Sequence, residues 1–497
     1  MRTPTIRRLA VGGIFAWGLT WPGSRPRKPW LRCSADFRPL ARASEVTSTH
    51  PTQDSAVLSN CGFRPSGRRE VGASVISAKN SLPGASPIDG PKGRVLWDRA
   101  DRVLPGGGIY LSRSARFAGD GVLPGFIADA EGCRVTDVDG KQYLDFVCAN
   151  GPNLLGYGHS GVKQAYLQQA RRPASSNFYS PLLVELAEVL VDRYAGMDWA
   201  VLAKTGSEVL TLAGRVARKA TGRPLIVAFD QAYHGSDAEL SPWPAPGVPA
   251  TRRDHVIRVP WNDVKALRTV ADQHEGQIAA LLLNSLDQNA FQPTFFAEPG
   301  FIAAIEEIRT RHGAALILDD VRQGFRLHPE GSHRALGLVP DLLCLGKGLG
   351  NGYSVSALLG SDALRDGARG IMFTSSLHFE QPPMRAAMAT LDAYDNECAF
   401  EKMTRAGLRL REGLLAAARA TGHSIDCSGP PTMPTLLFEN DPDRSRVVGF
   451  AREAARRGAI FHPALNWFIC AAHDDSAIDE ALEIARDAMG ATPTAGV

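Results

Sequence analysis

Lys347 is the residue whose type and surroundings most strongly indicate chemistry. It follows the apolar run Leu342–Leu345 and stands between Gly346 and Gly348. Burying a lysine is costly because the ammonium loses its hydration. Burial also lowers the pKa of the amine, which leaves it neutral and nucleophilic. We therefore expect a buried, nucleophilic amine at a strand end, whereas the commoner alternative for a single lysine is a solvated loop position.

Asp319 supplies an acidic partner for such a lysine. It ends a second apolar run, Ala315–Leu318, and is followed by Asp320 and Val321. A carboxylate that faces a pyridine nitrogen keeps it protonated, and the protonated ring withdraws electrons from the reacting carbon. Val321 would suit the apolar face of such a ring. Lysine and aspartate at two strand ends are the pair that pyridoxal 5'-phosphate (PLP) chemistry requires, although paired aspartates alone would indicate a metal site or a solvated loop.

Two further strand ends carry residues that fit the same cofactor. Gly206 and Ser207 open a predicted helix, whose N-terminal amides can bind an anion such as a phosphate. Tyr233 and His234 follow the next apolar run, where Tyr233 could stack on a flat ring. The simpler alternatives are a helix N-cap for Ser207, core filling for Tyr233 and a hydrogen-bonded structural role for His234.

The elements that must position these residues follow from the apolar pattern. From about residue 155, near-continuous apolar strands alternate with helical stretches. The predicted strands are Trp199–Ala203, Leu225–Phe229, Ile278–Leu283, Ala314–Leu318, Leu342–Leu345 and Val355–Leu359. This alternation predicts an α/β fold with a mostly parallel sheet covered on both faces. The ligand site of such a sheet lies at the carboxyl ends of its strands.

The flanking segments predict a second, smaller α/β domain. Residues 133–146 alternate in hydropathy around Asp139-Gly140, which is a type I′ hairpin signal. From about residue 383, amphipathic helices dominate, with short strands between them. The predicted division is an N-terminal segment of the small domain at 96–154, a large PLP-binding domain at 155–382 and the C-terminal part of the small domain at 383–497.

The first 95 residues differ in composition from the rest. Residues 1–35 contain seven Arg and Lys and no acid, which exceeds the net charge of +3 for the whole chain. The remainder is therefore net acidic and gives no case for nucleic-acid binding. The apolar patch Leu9–Trp21 is too short to span a bilayer, so we expect no membrane partner. We expect residues 1–95 to be a disordered basic leader: a signal peptide, an organelle transit peptide or the product of a start codon placed too far upstream.

The cysteines give no indication of a metal site. The eight cysteines are scattered and form no CxxC pair. In a chain of this length they predict reduced packing residues and not a disulfide framework. The predicted location is therefore cytoplasmic, with an organelle or export implied only if the leader is genuine.

Four motifs together resemble the class III (subgroup II) aminotransferases, which are PLP enzymes of fold type I (aspartate aminotransferase-like). The motifs are Thr205-Gly206-Ser207-Glu208, Tyr233-His234-Gly235, Asp319–Arg326 and Leu345-Gly346-Lys347-Gly348. The resemblance extends over about residues 96–490. It implies a mostly parallel sheet in a large cofactor domain, together with a smaller α/β domain.

The resemblance also implies roles at the cofactor ring. Lys347 would bind PLP covalently and then move a proton between the substrate and the cofactor. Asp319 would pair with the pyridine nitrogen. Val321 would pack on one ring face and Tyr233 on the other, with the neighbouring His234 also counted among the cofactor-binding residues.

At the phosphate, the resemblance implies a contribution from two chains. Gly206 and Ser207 would hold the phosphate from the same chain. In this family a residue of the neighbouring subunit also binds it, and Ser376 is the matching position here. A homodimer with shared active sites is therefore implied.

Within the family, the sequence is similar to the fumonisin-degrading (aminopentol) aminotransferases and to the glutamate-1-semialdehyde enzymes. Features shared with the fumonisin-degrading enzymes include Gly151–Tyr157 and Asn351-Gly352-Tyr353. Two departures stand out. Asn284-Ser285 replaces the usual Glu-Pro pair, and the stretch from Asn466 to His473 has no arginine where several relatives bind a carboxylate. The second departure weakens the case for a simple α-amino acid as the main donor.

The resemblance implies a transaminase that moves an amino group from an amine, such as a hydrophobic or polyol amine, to a keto acid such as pyruvate. One alternative is a 2,1-aminomutase of the glutamate-1-semialdehyde type, which needs no keto-acid acceptor. Another alternative is a catalytically silent binding protein with the PLP fold. The intact Lys347, Asp319 and phosphate loop argue against the silent protein.

Overall fold

The secondary structure is that of an α/β protein. The structure, a computed structural model, describes residues 88–105, 118, 121–172, 175–241 and 247–494. The predicted leader therefore lies outside the described residues, apart from residues 88–95. The helices are α1 (Pro91–Val103), α2 (Ser160–Ala170), α3 (Pro181–Arg193), α4 (Gly206–Thr221), α5 (Val264–Gln273), α6 (Pro299–His312), α7 (His333–Leu336), α8 (Arg365–Arg369), α9 (Gln381–Asn396), α10 (Ala399–Ala420), α11 (Ser445–Arg457) and α12 (Asp475–Gly490). The strands are β1 (Ile127–Glu131), β2 (Arg134–Asp137), β3 (Gln142–Asp145), β4 (Trp199–Ala203), β5 (Leu225–Phe229), β6 (Val256–Val259), β7 (Ile278–Asn284), β8 (Leu286–Asp287), β9 (Phe295–Phe296), β10 (Ala315–Asp319), β11 (Leu342–Leu345), β12 (Ser356–Gly360), β13 (Ile425–Ser428), β14 (Thr435–Phe438) and β15 (Ala459–Ile460).

A seven-stranded sheet forms the centre of the molecule, in the order β4-β12-β11-β10-β7-β5-β6. Strands β11, β10, β7, β5 and β6 pair in parallel, whereas β12 runs antiparallel to both of its neighbours. The prediction of a mostly parallel sheet is confirmed. The edge strand β6 was not predicted, because Arg258 interrupts its short apolar run.

The side chains of the central strands alternate between two apolar layers, as the two-residue period of a strand requires. Leu281, Leu283 and Leu318 pack in one layer, together with α5 and α6. Ala280, Leu282 and Ile317 pack in the other layer, together with α4. Both faces are thus buried, which explains why the strands read as continuous apolar runs.

The register of the central strands determines which residues meet at the carboxyl edge of the sheet. Asp319, the last residue of β10, lies beside Asn284 of β7. On its other side, Asp319 lies beside Cys344 of β11. Lys347 follows β11 after two residues, so the register alone brings Lys347, Asp319 and Asn284 to one edge.

A smaller four-stranded sheet joins distant parts of the chain, in the order β1-β2-β3-β15. Strands β2 and β3 form the predicted antiparallel hairpin. The predicted type I′ turn is wrong, because Gly140 has φ +94° but Asp139 does not have a positive φ. Instead, Asp137 Oδ1 accepts hydrogen bonds from the amides of Asp139 (3.0 Å) and Lys141 (2.9 Å), which closes a longer loop.

The described residues all belong to one compact unit. Strand β15, from the C-terminal part of the chain, pairs in parallel with β3. The division into domains at 154/155 and 382/383 stays a prediction. Within the described ranges, no helix combines the length and the apolar composition needed to cross a bilayer.

Candidate active site

A cleft of about 320 Å³ lies at the carboxyl edge of the central sheet. This volume is in the range of small-molecule and cofactor sites. Six of the eight residues predicted for the site line this one cleft: Gly206, Ser207, Tyr233, Asp319, Val321 and Lys347. The strand-end positions thus come together at one cleft, and their role as the active site stays a prediction.

Lys347 begins a 3₁₀ turn, Lys347–Gly350, directly after β11. Its φ is +40°, a left-handed conformation that is unfavourable for a residue with a side chain. A Cβ on Gly346 would lie only 3.2 Å from Val321 Cγ1, so the backbone before the lysine passes close to β10. The expectation that Lys347 is buried is wrong: it is partly exposed, because its side chain opens into the cleft.

The carboxylate of Asp319 is held from three sides. His234 Nδ1 donates to Asp319 Oδ2 at 2.8 Å, and Asn284 Nδ2 lies 3.4 Å from the same oxygen. The amide of Val321 donates to Asp319 Oδ1 at 3.1 Å. His234 is fully buried and does not line the cleft, so it lies behind Asp319. The contact of Asn284 was not predicted. Asn284 ends the neighbouring strand β7, so a search of the carboxyl ends of the strands could have found it.

Asp320 points away from the cleft. Its Oδ2 accepts a hydrogen bond from the amide of Ser332 at 3.0 Å, and its Oδ1 has no partner among the described residues. Burial raises the pKa of Asp320 to about 6. The two adjacent aspartates therefore occupy different environments, and only Asp319 faces the cleft.

The N-terminus of α4 provides an anion site. The Thr205 side chain accepts from the amide of Glu208, and Glu208 accepts from the amide of Thr205, which together form a capping box. The amides of Gly206 and Ser207 precede the first intrahelical bonds and are available to a ligand. A Cβ on Gly206 would lie 2.8 Å from Val321 Cγ1, so the helix start and Val321 are in close contact.

These features fit PLP. The helix N-terminus suits a phosphate, Asp319 suits a protonated pyridine nitrogen and Lys347 suits the aldehyde carbon. Tyr233 is 49% exposed and lines the cleft, which is unusual for core filling and leaves an aromatic face for a flat ring.

Ser376 is exposed and does not line the cleft of its own chain. The segment that carries it is nevertheless tied to the anion site. His378 Nε2 lies 3.2 Å from Glu208 Oε1, and Lys204 Nζ lies 2.9 Å from Glu380 Oε2. The position of Ser376 is thus linked to the N-terminus of α4 through one histidine–carboxylate hydrogen bond and one ion pair.

A polar wall of the cleft, formed by Asp287, Gln288 and Asn289, was not predicted. Asn289 Nδ2 donates to Asp287 Oδ1 at 2.7 Å, and burial raises the pKa of Asp287 to about 6. Gln288 Oε1 is buried without a partner among the described residues. The only signal in the sequence was the unusual Asn284-Ser285 immediately upstream.

Arg322 also lines the cleft and was not predicted. Its guanidinium donates to Asn466 Oδ1 and lies 5.6 Å from the ring centroid of Phe468. Asn466 and Phe468 belong to the C-terminal stretch that has no arginine of its own. An arginine from the end of β10 is therefore packed against this stretch.

Outside the cleft, Cys148, Cys470 and His473 form a buried cluster with spacing suitable for metal ligands. Cys470 Sγ lies 3.1 Å from His473 Nδ1. The same nitrogen accepts from the Cys470 amide at 3.0 Å. These contacts tie the cluster together by hydrogen bonds, and among the described residues His473 Nε2 is buried without a partner.

Comparisons with known proteins identify the family of the chain. The family model "Aminotransferase class-III" matches residues 117–466. The chain is 36% identical to an aminopentol aminotransferase of Sphingopyxis macrogoltabida, over 81% of this chain and 95% of the relative. It is 32% identical to a glutamate-1-semialdehyde 2,1-aminomutase of Anaeromyxobacter dehalogenans (strain 2CP-C), over 79% of this chain and 96% of the relative. A solved structure, the PLP internal aldimine form of the FumI protein from Sphingopyxis sp. MTA144, superposes with a TM-score of 0.77 at 36% identity, over 81% of this chain and 96% of that chain.

The fold and the site define a PLP-dependent enzyme of fold type I. The chain belongs to the class III aminotransferases.

Proposed function

We propose that this aminotransferase moves an amino group from a hydroxylated or hydrophobic amine to a keto acid such as pyruvate. The reaction would be a double displacement, in which the amine leaves its amino group on the enzyme before the keto acid removes it. The observation that carries the choice of amine is the polar wall of Asp287, Gln288 and Asn289, which offers hydrogen-bonding groups to a hydroxylated chain. The 36% identity to an aminopentol aminotransferase supports the same choice.

The residues of the cleft have separate roles in this proposal. Bound PLP supplies the electron sink for breaking the bond between the substrate carbon and its proton. Lys347 Nζ takes that proton and returns it, as general base and then general acid. Asp319 stabilises positive charge at the pyridine nitrogen. His234, from behind Asp319, and Asn284, which lines the cleft, orient the carboxylate of Asp319.

We propose that the enzyme acts as a homodimer with shared sites. Large apolar side chains are exposed on two segments: Phe178 (82%), Tyr179 (77%), Met372 (85%) and Leu377 (56%). The segments lie together, because Ser175 Oγ donates to the carbonyl of Ser376 at 3.3 Å and the rings of Tyr179 and Phe379 are 5.2 Å apart. An apolar patch of this kind favours a protein partner, and a second copy would bring its Ser376 towards the phosphate site.

A panel of amine donors with pyruvate tests the transaminase. The holoenzyme is mixed with each amine and pyruvate, and alanine is measured. Aminopentol-type amines are expected to give alanine faster than simple α-amino acids. Alanine formation from no amine on the panel would contradict the proposal.

The 32% identity to an aminomutase favours a second candidate function. An aminomutase would rearrange glutamate 1-semialdehyde to 5-aminolevulinate in the absence of any keto acid. The same holoenzyme preparation is therefore incubated with glutamate 1-semialdehyde alone. Rearrangement of glutamate 1-semialdehyde, together with no alanine formation from any amine on the panel, would favour the aminomutase over the transaminase.

A further inference from the structure

We propose that Arg322 binds the carboxylate of the keto acid and so selects carboxylate-bearing acceptors. The inference rests on the proposed transaminase function and deepens it. It starts from the position of Arg322, which lines the same cleft as Lys347 and Asp319. A substrate that reaches Lys347 therefore passes within the same small volume as the guanidinium.

The pairing of Arg322, which is partly exposed, differs from that of two buried arginines, Arg193 and Arg326. Arg193 forms an ion pair with Asp395 at 2.8 Å. Arg326 donates to the carbonyls of Ile469 (2.7 Å) and Gly151 (2.9 Å). Among the described residues, Arg322 has one neutral acceptor, Asn466 Oδ1, and no carboxylate within ion-pair distance. Most of its five N–H donors are therefore left for a ligand.

The charge of the Arg322 guanidinium also favours a carboxylate ligand. Burial lowers the pKa of Arg322 to about 10, so the guanidinium remains charged at neutral pH. A guanidinium in a cleft without a direct ion pair is costly to desolvate, and a bound carboxylate would supply that contact. The charge of Asp319 attracts the guanidinium and raises the pKa of Arg322, but the two groups form no ion-pair contact. The planar guanidinium suits a carboxylate, which it can bind with two parallel hydrogen bonds.

The surroundings hold the guanidinium in place. Asn466 Nδ2 donates to the carbonyl of Trp467 at 2.8 Å, which orients Asn466 Oδ1. The Phe468 ring lies 5.6 Å from the Arg322 guanidinium carbon. An arginine held before the substrate arrives loses little entropy on binding. The C-terminal stretch thus contributes to carboxylate binding by positioning an arginine from another element.

The test separates the two half-reactions of the holoenzyme. The amine half is followed by the absorbance of the bound cofactor after mixing with an accepted amine. The acceptor half is followed with pyruvate and with propanal, which lacks the carboxylate. In Arg322→Met, the ratio of kcat/KM for pyruvate to kcat/KM for propanal is expected to fall about 10- to 100-fold. This is the loss expected when hydrogen bonds to a charged group are removed. In Arg322→Lys, which keeps the charge, the same ratio is expected to fall less.

A control variant and a binding measurement complete the test. Arg334→Met removes an exposed arginine of α7 and is expected to leave the ratio of pyruvate to propanal unchanged. Propionate, an unreactive carboxylate, is titrated into the holoenzyme by calorimetry, and its affinity is expected to fall about 10-fold or more in Arg322→Met.

Three outcomes would overturn the inference. An equal loss with pyruvate and propanal would make Arg322 a structural residue. Unchanged propionate affinity in Arg322→Met would place the carboxylate elsewhere. Absence of amino transfer to pyruvate in the unsubstituted enzyme would instead refute the proposed function, and the inference with it.

Discussion

Asp319 and Asp320 are neighbours with opposite environments, and the difference follows from what surrounds each carboxylate. Asp319 accepts hydrogen bonds from His234 and the Val321 amide and faces the cleft. Asp320 is buried with one oxygen unpaired. The sequence identified the pair as important. The sequence analysis selected Asp319 of the two, but the reason that Asp319 faces the cleft lies in the register between β7, β10 and β11, which the sequence does not show.

The contact between His234 and Asp319 predicts graded effects of substitution. Asp319→Asn removes the charge at the pyridine nitrogen, and kcat is expected to fall about 10²- to 10³-fold. His234→Gln keeps Asp319 but loses a charge-assisted hydrogen bond, and a fall of about 10-fold is expected. The pH at which the absorbance of the bound cofactor changes should also shift in His234→Gln. An unchanged absorbance profile would show that His234 has a structural role only.

The raised pKa of Asp320 predicts a pH-dependent stability. The folded state binds this proton more tightly than the unfolded state, so the folding free energy becomes less favourable as the pH rises from about 4 to about 6. Above pH 6 the burial of the charge costs up to about 3 kcal/mol. Asp320→Asn is therefore expected to raise the melting temperature at pH 8 and to leave it nearly unchanged at pH 4. A melting temperature lowered at both values would contradict this assignment.

At the scale of elements, continuous apolar runs were the most reliable signal. The predicted bounds of β4, β5 and β11 agree with the structure, because β5 and β11 are fully buried and β4 is largely so. The antiparallel direction of β12 could not be predicted from the sequence, because a short buried strand has the same apolar pattern in either direction. Arg322 and the polar wall at Asp287 were not predicted, because only tertiary packing brings their side chains to the cleft.

The start of α4 gives a prediction about one glycine. In Gly206→Ala the new Cβ would lie 2.8 Å from Val321 Cγ1, so the helix start or Val321 must shift. PLP affinity is expected to fall about 10-fold, a loss comparable to one hydrogen bond to a charged group. Dialysis followed by cofactor titration measures it.

Gly300 of α6 supplies the matched control for that change. It also stands in the first turn of a helix, but a Cβ there would have open space around it. Gly300→Ala is expected to leave PLP affinity unchanged. Equal effects of the two substitutions would refute the steric explanation.

At the scale of the whole molecule, the proposed dimer makes the site a property of two chains. The cleft of one chain contains Lys347, Asp319 and the N-terminus of α4, but not Ser376. The exposed apolar side chains at Phe178 and Met372 lie on the segments that carry or contact Ser376. The family resemblance, and not the pattern of the chain, was the source of this prediction.

Hybrid dimers test whether the sites are shared. A Lys347→Ala chain is combined with a Ser376→Asp chain, each of which is expected to be nearly inactive alone. If Ser376 acts across the interface, one site of the hybrid carries both changes and the other carries none, so about half of the activity per dimer returns. If both residues act within one chain, no intact site forms, and an inactive hybrid would exclude the shared arrangement.

Glu208 has a further consequence for how the enzyme assembles. Its carboxylate caps the helix whose N-terminus is proposed to hold the phosphate, and it also contacts His378 on the segment that carries Ser376. A change in the capping of α4 therefore alters the free energy of the contact with His378, and a change in that contact alters the capping. By thermodynamic linkage, any factor by which the proposed pairing of subunits tightens cofactor binding is also the factor by which the cofactor tightens the pairing. Loss of the cofactor on dilution and separation into single chains should then be one coupled equilibrium.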